Sequence, residues 1–156
     1  MARKTLIYTV SDAGRDFQKK FVITEMPASQ AERWGTRALM GMVKGGAQVP
    51  DEIVEIGGMA GVAAMAGLGR RMIAAAASAF ASMPFDVAEP LLDEMMGCVL
   101  SQPNPADPRI TRVLTETDIE EVQTRVKLRA EVLKLHLDFL PAAAPQEPIP
   151  AAATPA

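Results

Sequence analysis

The sequence predicts a mainly α fold of the α+β class: an N-terminal β-hairpin, a bundle of about four to five helices, and a disordered Pro/Ala-rich C-terminal tail. Three observations carry this expectation. Runs of β-branched and aromatic residues are confined to the start of the chain, and later apolar residues recur at helical spacing. The chain is 49% hydrophobic but only 4% aromatic, with ten Met, so Ala, Leu, Val and flexible Met must fill the core. At 156 residues the chain has the length of one domain. We assign the domain to 1–140, with its hairpin at 4–25, and the tail to 141–156.

Lys4 to Val10 and Phe17 to Glu25 are rich in Thr, Ile, Val, Tyr and Phe and flank the polar stretch Ser11 to Asp16, which reads as a hairpin. Two strands alone are marginal in water, so this hairpin needs an apolar neighbour, and its outer edge is a pairing site. Pro27 suits a helix start, and Ser29 with Glu32 has capping-box spacing. Within that helix Ala31, Trp34, Ala38 and Met42 form one apolar stripe, and Gly45-Gly46 ends it.

Beyond Pro50 the spacing predicts helices over 52–66 and 68–82 with a break at Gly67-Leu68-Gly69, since glycine disfavours helix by about 1 kcal/mol relative to Ala. Another helix is expected from Asp86, with Glu89 three residues on, through Leu91, Met95, Val99 and Leu100. Pro103, Pro105 and Pro108 then force an open loop. The last helix is predicted to open at Thr117 as N-cap with Glu120 in a capping box. Its main apolar line is Ile119, Val122, Val126, Ala130, Leu133, Leu137 and Leu140, and Glu121 with Arg125 has the spacing of a favourable pair. Leu128, Val132, Leu135 and Phe139 form a second line, so this helix is apolar on two sides.

Acidic and basic residues are mixed along the chain, with a net charge of −3, which offers no basic field for nucleic acid. The Ala/Gly/Met-rich run from Ile56 to Phe85 is divided by Arg70 and Arg71. Each half falls short of the about 20 apolar residues a bilayer core requires, so no membrane span is expected. A single cysteine and no apolar signal core point to a reducing cytoplasm.

No constellation of catalytic or metal-ligating residues emerges, and no cofactor or metal is expected. His136 has no nucleophile in a recognisable pattern beside it and reads as a structural or surface residue. Cys98 reads as a buried thiol. Asp86, Glu89, Asp93 and Glu94 lack the further ligands that a cation site needs. The glycines lack phosphate-loop spacing. What remains is a protein that acts by binding another protein.

Gly14-Arg15-Asp16 and the stretch from Phe21 to Trp34, including Ile23-Thr24-Glu25-Met26-Pro27-Ala28 and Ala31-Glu32-Arg33-Trp34, resemble the N-terminal block of tail assembly chaperones from long-tailed, siphovirus or Mu-like bacteriophages and prophages. Val87 to Met95 and Asp118 to Val122, leading into Lys127 to Val132, agree with it. The resemblance implies a non-enzymatic protein in the cytoplasm of the infected or lysogenic bacterium, absent from the mature virion. It would bind the tape-measure protein and keep it soluble while tail-tube subunits polymerise. Tail-tube protein and a second copy of the chain are further expected partners. A longer frameshifted form is a feature of the family, and the tail after Leu140 suits such a connection. On this reading Trp34, Met42, Leu128, Val132, Leu135 and Phe139 are candidate client or subunit contacts, with core burial as the alternative. The rival classes are a structural tail or head-completion protein of the virion and a small protein-binding regulator.

Overall fold

The computed structural model describes residues 3–46 and 81–137, with Asp51 and Glu55 between them. The helices expected over 52–66 and 68–82, the Gly67-Leu68-Gly69 break, Arg70-Arg71 and the tail at 141–156 fall almost wholly outside the described residues. The elements are β1 (Thr5–Thr9), β2 (Lys20–Thr24), α1 (Ala28–Lys44), α2 (Phe85–Met96), β3 (Val99–Gln102), β4 (Arg112–Val113) and α3 (Val122–Leu137). The strands form one antiparallel sheet in the order β1-β2-β3-β4.

The expected bundle of four to five helices is therefore incorrect for the described residues, which form a four-stranded sheet with three helices. The hairpin is present, but it is half of a larger sheet. Two short strands were hidden by their context. Val99 and Leu100 continue the helical spacing of Leu91 and Met95, yet α2 stops at Met96. The Gly97 N–H closes the helix on Asp93 C=O at 2.9 Å, and Thr24 N–H then takes Cys98 C=O at 2.9 Å, turning the chain into β3. The proline-containing connection at 103–111 brings the chain back as β4, too short to show alternation.

Register separates the two sheet faces. Leu6, Ile23 and Val99 lie across one face, with Tyr8, Phe21, Ser101 and Arg112 beside them. The other carries Ile7, Val22, Leu100 and Val113 in a single cross-strand row. The helices cover the first face, where Phe21, Ile23 and Val99 join Trp34, Leu39, Leu91, Leu128 and Val132 in one core cluster. Full burial of side chains of this size contributes about 1.5–3 kcal/mol each. α2 packs against both α1 and α3.

The apolar stripe expected for α1 is present: Trp34, Ala38 and Met42 are buried and Ala31 is partly so. Trp34 Nε1 donates to Leu91 C=O at 2.9 Å, so the indole meets its hydrogen-bonding need while tying α1 to α2. The capping boxes expected at Ser29 and Asp86 are not used. α1 and α2 begin at Ala28 and Phe85, with Pro27 and Pro84 in the cap positions and no side-chain cap bond. Ser29 and Asp86 thus sit inside the first turn, two residues past the cap position. Gly45-Gly46 ends α1 as expected. Gly46 adopts φ 89°, and a Cβ on Gly45 would lie 2.7 Å from Ser82 C=O oxygen.

In the hairpin, Val10 N–H bonds Lys19 C=O and Gln18 N–H bonds Val10 C=O, both at 3.0 Å. Gln18 closes this turn with φ 66°, a conformation that costs a non-glycine residue about 1–2 kcal/mol. Gln18→Gly should therefore raise stability by up to about 1 kcal/mol in urea unfolding, and a loss of stability would show that the Gln18 side chain holds the turn.

Candidate protein-contact surface

α3 supplies the candidate surface, and its rotation is set at both ends by polar contacts. At the N-terminal end Asp16, in the hairpin turn and 1% exposed, accepts Glu120 N–H at 3.0 Å and Glu121 N–H at 3.0 Å. Lys19 Nζ donates to the same carboxylate at 2.7 Å. Burial alone would push the Asp16 pKa up. The Lys19 ammonium, the Glu120 and Glu121 N–H groups and the Thr124 hydroxyl outweigh it and hold the pKa at about 2, below the ordinary 3.8.

Asp16 is therefore the anion that satisfies the approach to α3, a role expected of Thr117 and Glu120 from the sequence. The helix instead starts at Val122. The later start has a local cause: residues 115–118 form a turn in which Asp118 accepts Thr115 N–H at 2.6 Å and the Thr115 hydroxyl at 2.8 Å. Arg112 grips the same carboxylate through two contacts, at 2.6 and 2.7 Å, and Ser101 Oγ donates to it at 3.3 Å. Arg112 first, then the Thr115 donors, hold Asp118 well below the usual carboxylate range against its burial. Lys19 Nζ also reaches Asp118 C=O at 3.2 Å, joining the two carboxylates in one network. Neither carboxylate is poised to exchange a proton near neutral pH.

At the other end His136, in the last turn of α3, is buried. Its Nε2 accepts Met26 N–H at 2.7 Å, which requires the proton on Nδ1, where it donates to Val132 C=O at 2.7 Å. His136 is thus a structural link between α3 and the exit of β2. Cys98 is half-buried, and burial pushes its thiol up to about 11, leaving little thiolate near neutral pH.

Between these ends the buried stripe is Thr124, Leu128, Val132 and His136, at intervals of four. The first of the two apolar lines read from the sequence is split, with Ile119 and Leu133 packed partly against the core. Leu128 and Val132 belong to the core, whereas Val122 is 81% exposed and Val126 is 55% exposed. Ala130 is exposed beside them and Leu133 is partly buried. The expected Glu121–Arg125 side-chain pair is replaced by longer-range partners: Glu121 accepts Arg15 N–H at 3.0 Å, and Arg125 lies 3.7 Å from Asp93.

Of the predicted contact residues, Trp34, Met42, Leu128 and Val132 are buried in the core, and Leu135 is partly buried against it. Phe139 lies outside the described residues. Sequence reasoning left open which line is buried and did not single out Val122 and Val126 as the exposed pair. A usable signal was present in the Thr124-to-His136 spacing, whose polar ends fit a buried stripe only if both find partners. Asp93 and Glu94 turn to Arg125 and Arg37 respectively, and no group of three or more His, Cys, Asp or Glu among the described residues is placed to hold a metal ion. Among the same residues no helix is long and apolar enough to cross a membrane. No family model, curated protein or solved structure matches the chain.

Asp16→Asn should lower stability by about 2 kcal/mol, because the charge-assisted acceptor at the start of α3 is lost. The pH dependence has a definite sign. With the folded pKa below the unfolded one, the Asp16 contribution of about 2 kcal/mol is present above about pH 4 and is lost as pH falls toward 2. Denaturant titrations of the two proteins across this range should converge at low pH, and a constant gap between them would refute the assignment.

Proposed function

We propose that this chain is a tail assembly chaperone of a long-tailed bacteriophage or prophage, a non-enzymatic protein that binds the tape-measure protein and keeps it soluble while the tail tube polymerises. The observation that carries the reading is the exposed Val122–Val126–Ala130 stripe on a well-anchored helix. A rigid helix with an apolar solvent-facing line suits the apolar face of a long helical client, by the same spacing logic that packs helices in grooves. The residue-level resemblance in the stretch from Gly14 to Trp34 and around Asp118 to Val132 supports the same reading. The protein would act in the bacterial cytoplasm and be absent from the finished virion.

Co-expression with a tape-measure protein from the phage or prophage that carries this gene should raise that protein's solubility and yield a co-purifying complex. No change in solubility and no complex would overturn the proposal. Presence of the chain in purified particles would favour a virion component instead. Val122→Asp with Val126→Asp should abolish co-purification while leaving unfolding stability within about 0.5 kcal/mol, as expected for exposed positions. Leu128→Ala, in the core, should cost about 2–5 kcal/mol.

A further inference from the structure

We infer that β1 is a self-pairing edge, and that two copies of this chain join their sheets through an antiparallel β1–β1 contact about a twofold axis at Ile7. The inference stands apart from the chaperone reading and needs no client.

Backbone geometry identifies the unused edge. Lys4 C=O accepts Glu25 N–H and Val10 N–H donates to Lys19 C=O, each at 3.0 Å, so the alternate residues Leu6 and Tyr8 also turn toward β2. Thr5, Ile7 and Thr9 then direct their N–H and C=O groups away from the sheet, and among the described residues no strand pairs with them. Natural edges are usually protected by charge, proline, a bulge or brevity. β4 at the opposite edge has brevity and Arg112. β1 has five residues, Thr-Leu-Ile-Tyr-Thr, with none of these devices.

The occupant follows from the pattern. In an antiparallel pairing centred on Ile7, Thr5 stands opposite Thr9 of the second copy and Ile7 opposite its own equivalent. A twofold interface requires such self-complementarity, and Thr–Thr and β-branched cross-strand pairs are favourable. Ile7 is 48% exposed and ends the row Ile7, Val22, Leu100 and Val113, so the contact would join two apolar rows into one across the outer faces of the sheets. Charge selects the direction: the antiparallel alignment sets Arg3 opposite Ser11 and Lys4 opposite Val10 of the second copy, whereas a parallel one sets Arg3 against Arg3 and Lys4 against Lys4.

The test is the mass of the full chain in solution by sedimentation velocity over a wide concentration range. The expected result is a species of twice the 16.6 kDa chain mass. Ile7→Lys, which places two ammonium groups together at the axis, should return it to the single-chain mass with unchanged circular dichroism and thermal midpoint. Ile7→Cys in a Cys98→Ser background should be captured as a covalent dimer by a short bis-maleimide. A wild-type chain that stays monomeric, as it would if β1 instead awaits a strand from another protein, overturns the inference. So does a dimer that survives Ile7→Lys, or a folded Ile7→Cys chain that does not crosslink.

Discussion

The buried carboxylate of Asp16 is the constraint on which the arrangement of the described residues depends. It lies in a hairpin turn, yet its acceptors are spent on backbone donors at Glu120 and Glu121, more than a hundred residues later in the chain. A buried anion is costly unless fully partnered, and here each partner comes from an element that must be in place. Lys19 fixes the turn, and the N–H groups at 120 and 121 fix the approach to α3. The carboxylate therefore specifies as much as it stabilises: a different docking of α3 would strand it. Asp118 plays the matching part between β3, β4 and the turn before α3, and Lys19 bonds to both segments.

With its start set by Asp16 and its end by His136, α3 has little freedom to rotate. Four residues at intervals of four face the core. The two apolar members, Leu128 and Val132, drive burial, and the two polar members, Thr124 and His136, each find a partner. The alternative rotation would bury Val122 and Val126 and satisfy hydrophobicity about equally well. It would take the Thr124 hydroxyl from Asp16 and leave the Met26 N–H without its His136 acceptor, and such losses cost about 1–3 kcal/mol each. Polar satisfaction decides between two apolar faces that the hydrophobic effect alone does not distinguish.

This is also where the sequence was legible and where it was not. The hairpin, α1 with its Trp34 stripe, the glycine stop at Gly45-Gly46 and the existence of α2 and α3 follow from local rules: β-branched runs, helical spacing and helix breakers. β3 was masked because Val99 and Leu100 continue a helical spacing by chance, and four residues are too few to display alternation. β4 has only two residues. The exposure of Val122 and Val126 was not legible because apolar spacing does not say which of two lines is buried, and the contacts to Asp16 and Met26 that decide it are long-range. Capping was misread for a related reason. Ser29, Asp86 and Thr117 have the right chemistry for a cap, but Pro27, Pro84 and the distant Asp16 occupy the positions that decide.

The α3 stripe and the β1 edge lie on different layers, and this separation has a mechanical consequence. The α3 stripe belongs to the helical layer, while exposed Ile7 belongs to the sheet face opposite the described helices. Pairing through β1 would consume the sheet edge without touching Val122 or Val126, so a dimer would present two α3 stripes held at fixed separation. For a client that repeats the same apolar spacing over a long helix, the second contact becomes intramolecular once the first has formed. Its strength is then governed by effective concentration rather than by new contacts. Two weak stripes of a few valines and an alanine can in that way retain a long client that neither would hold alone. The rigidity that Asp16 and His136 impose on α3 keeps the spacing between the stripes from being lost to helix rotation.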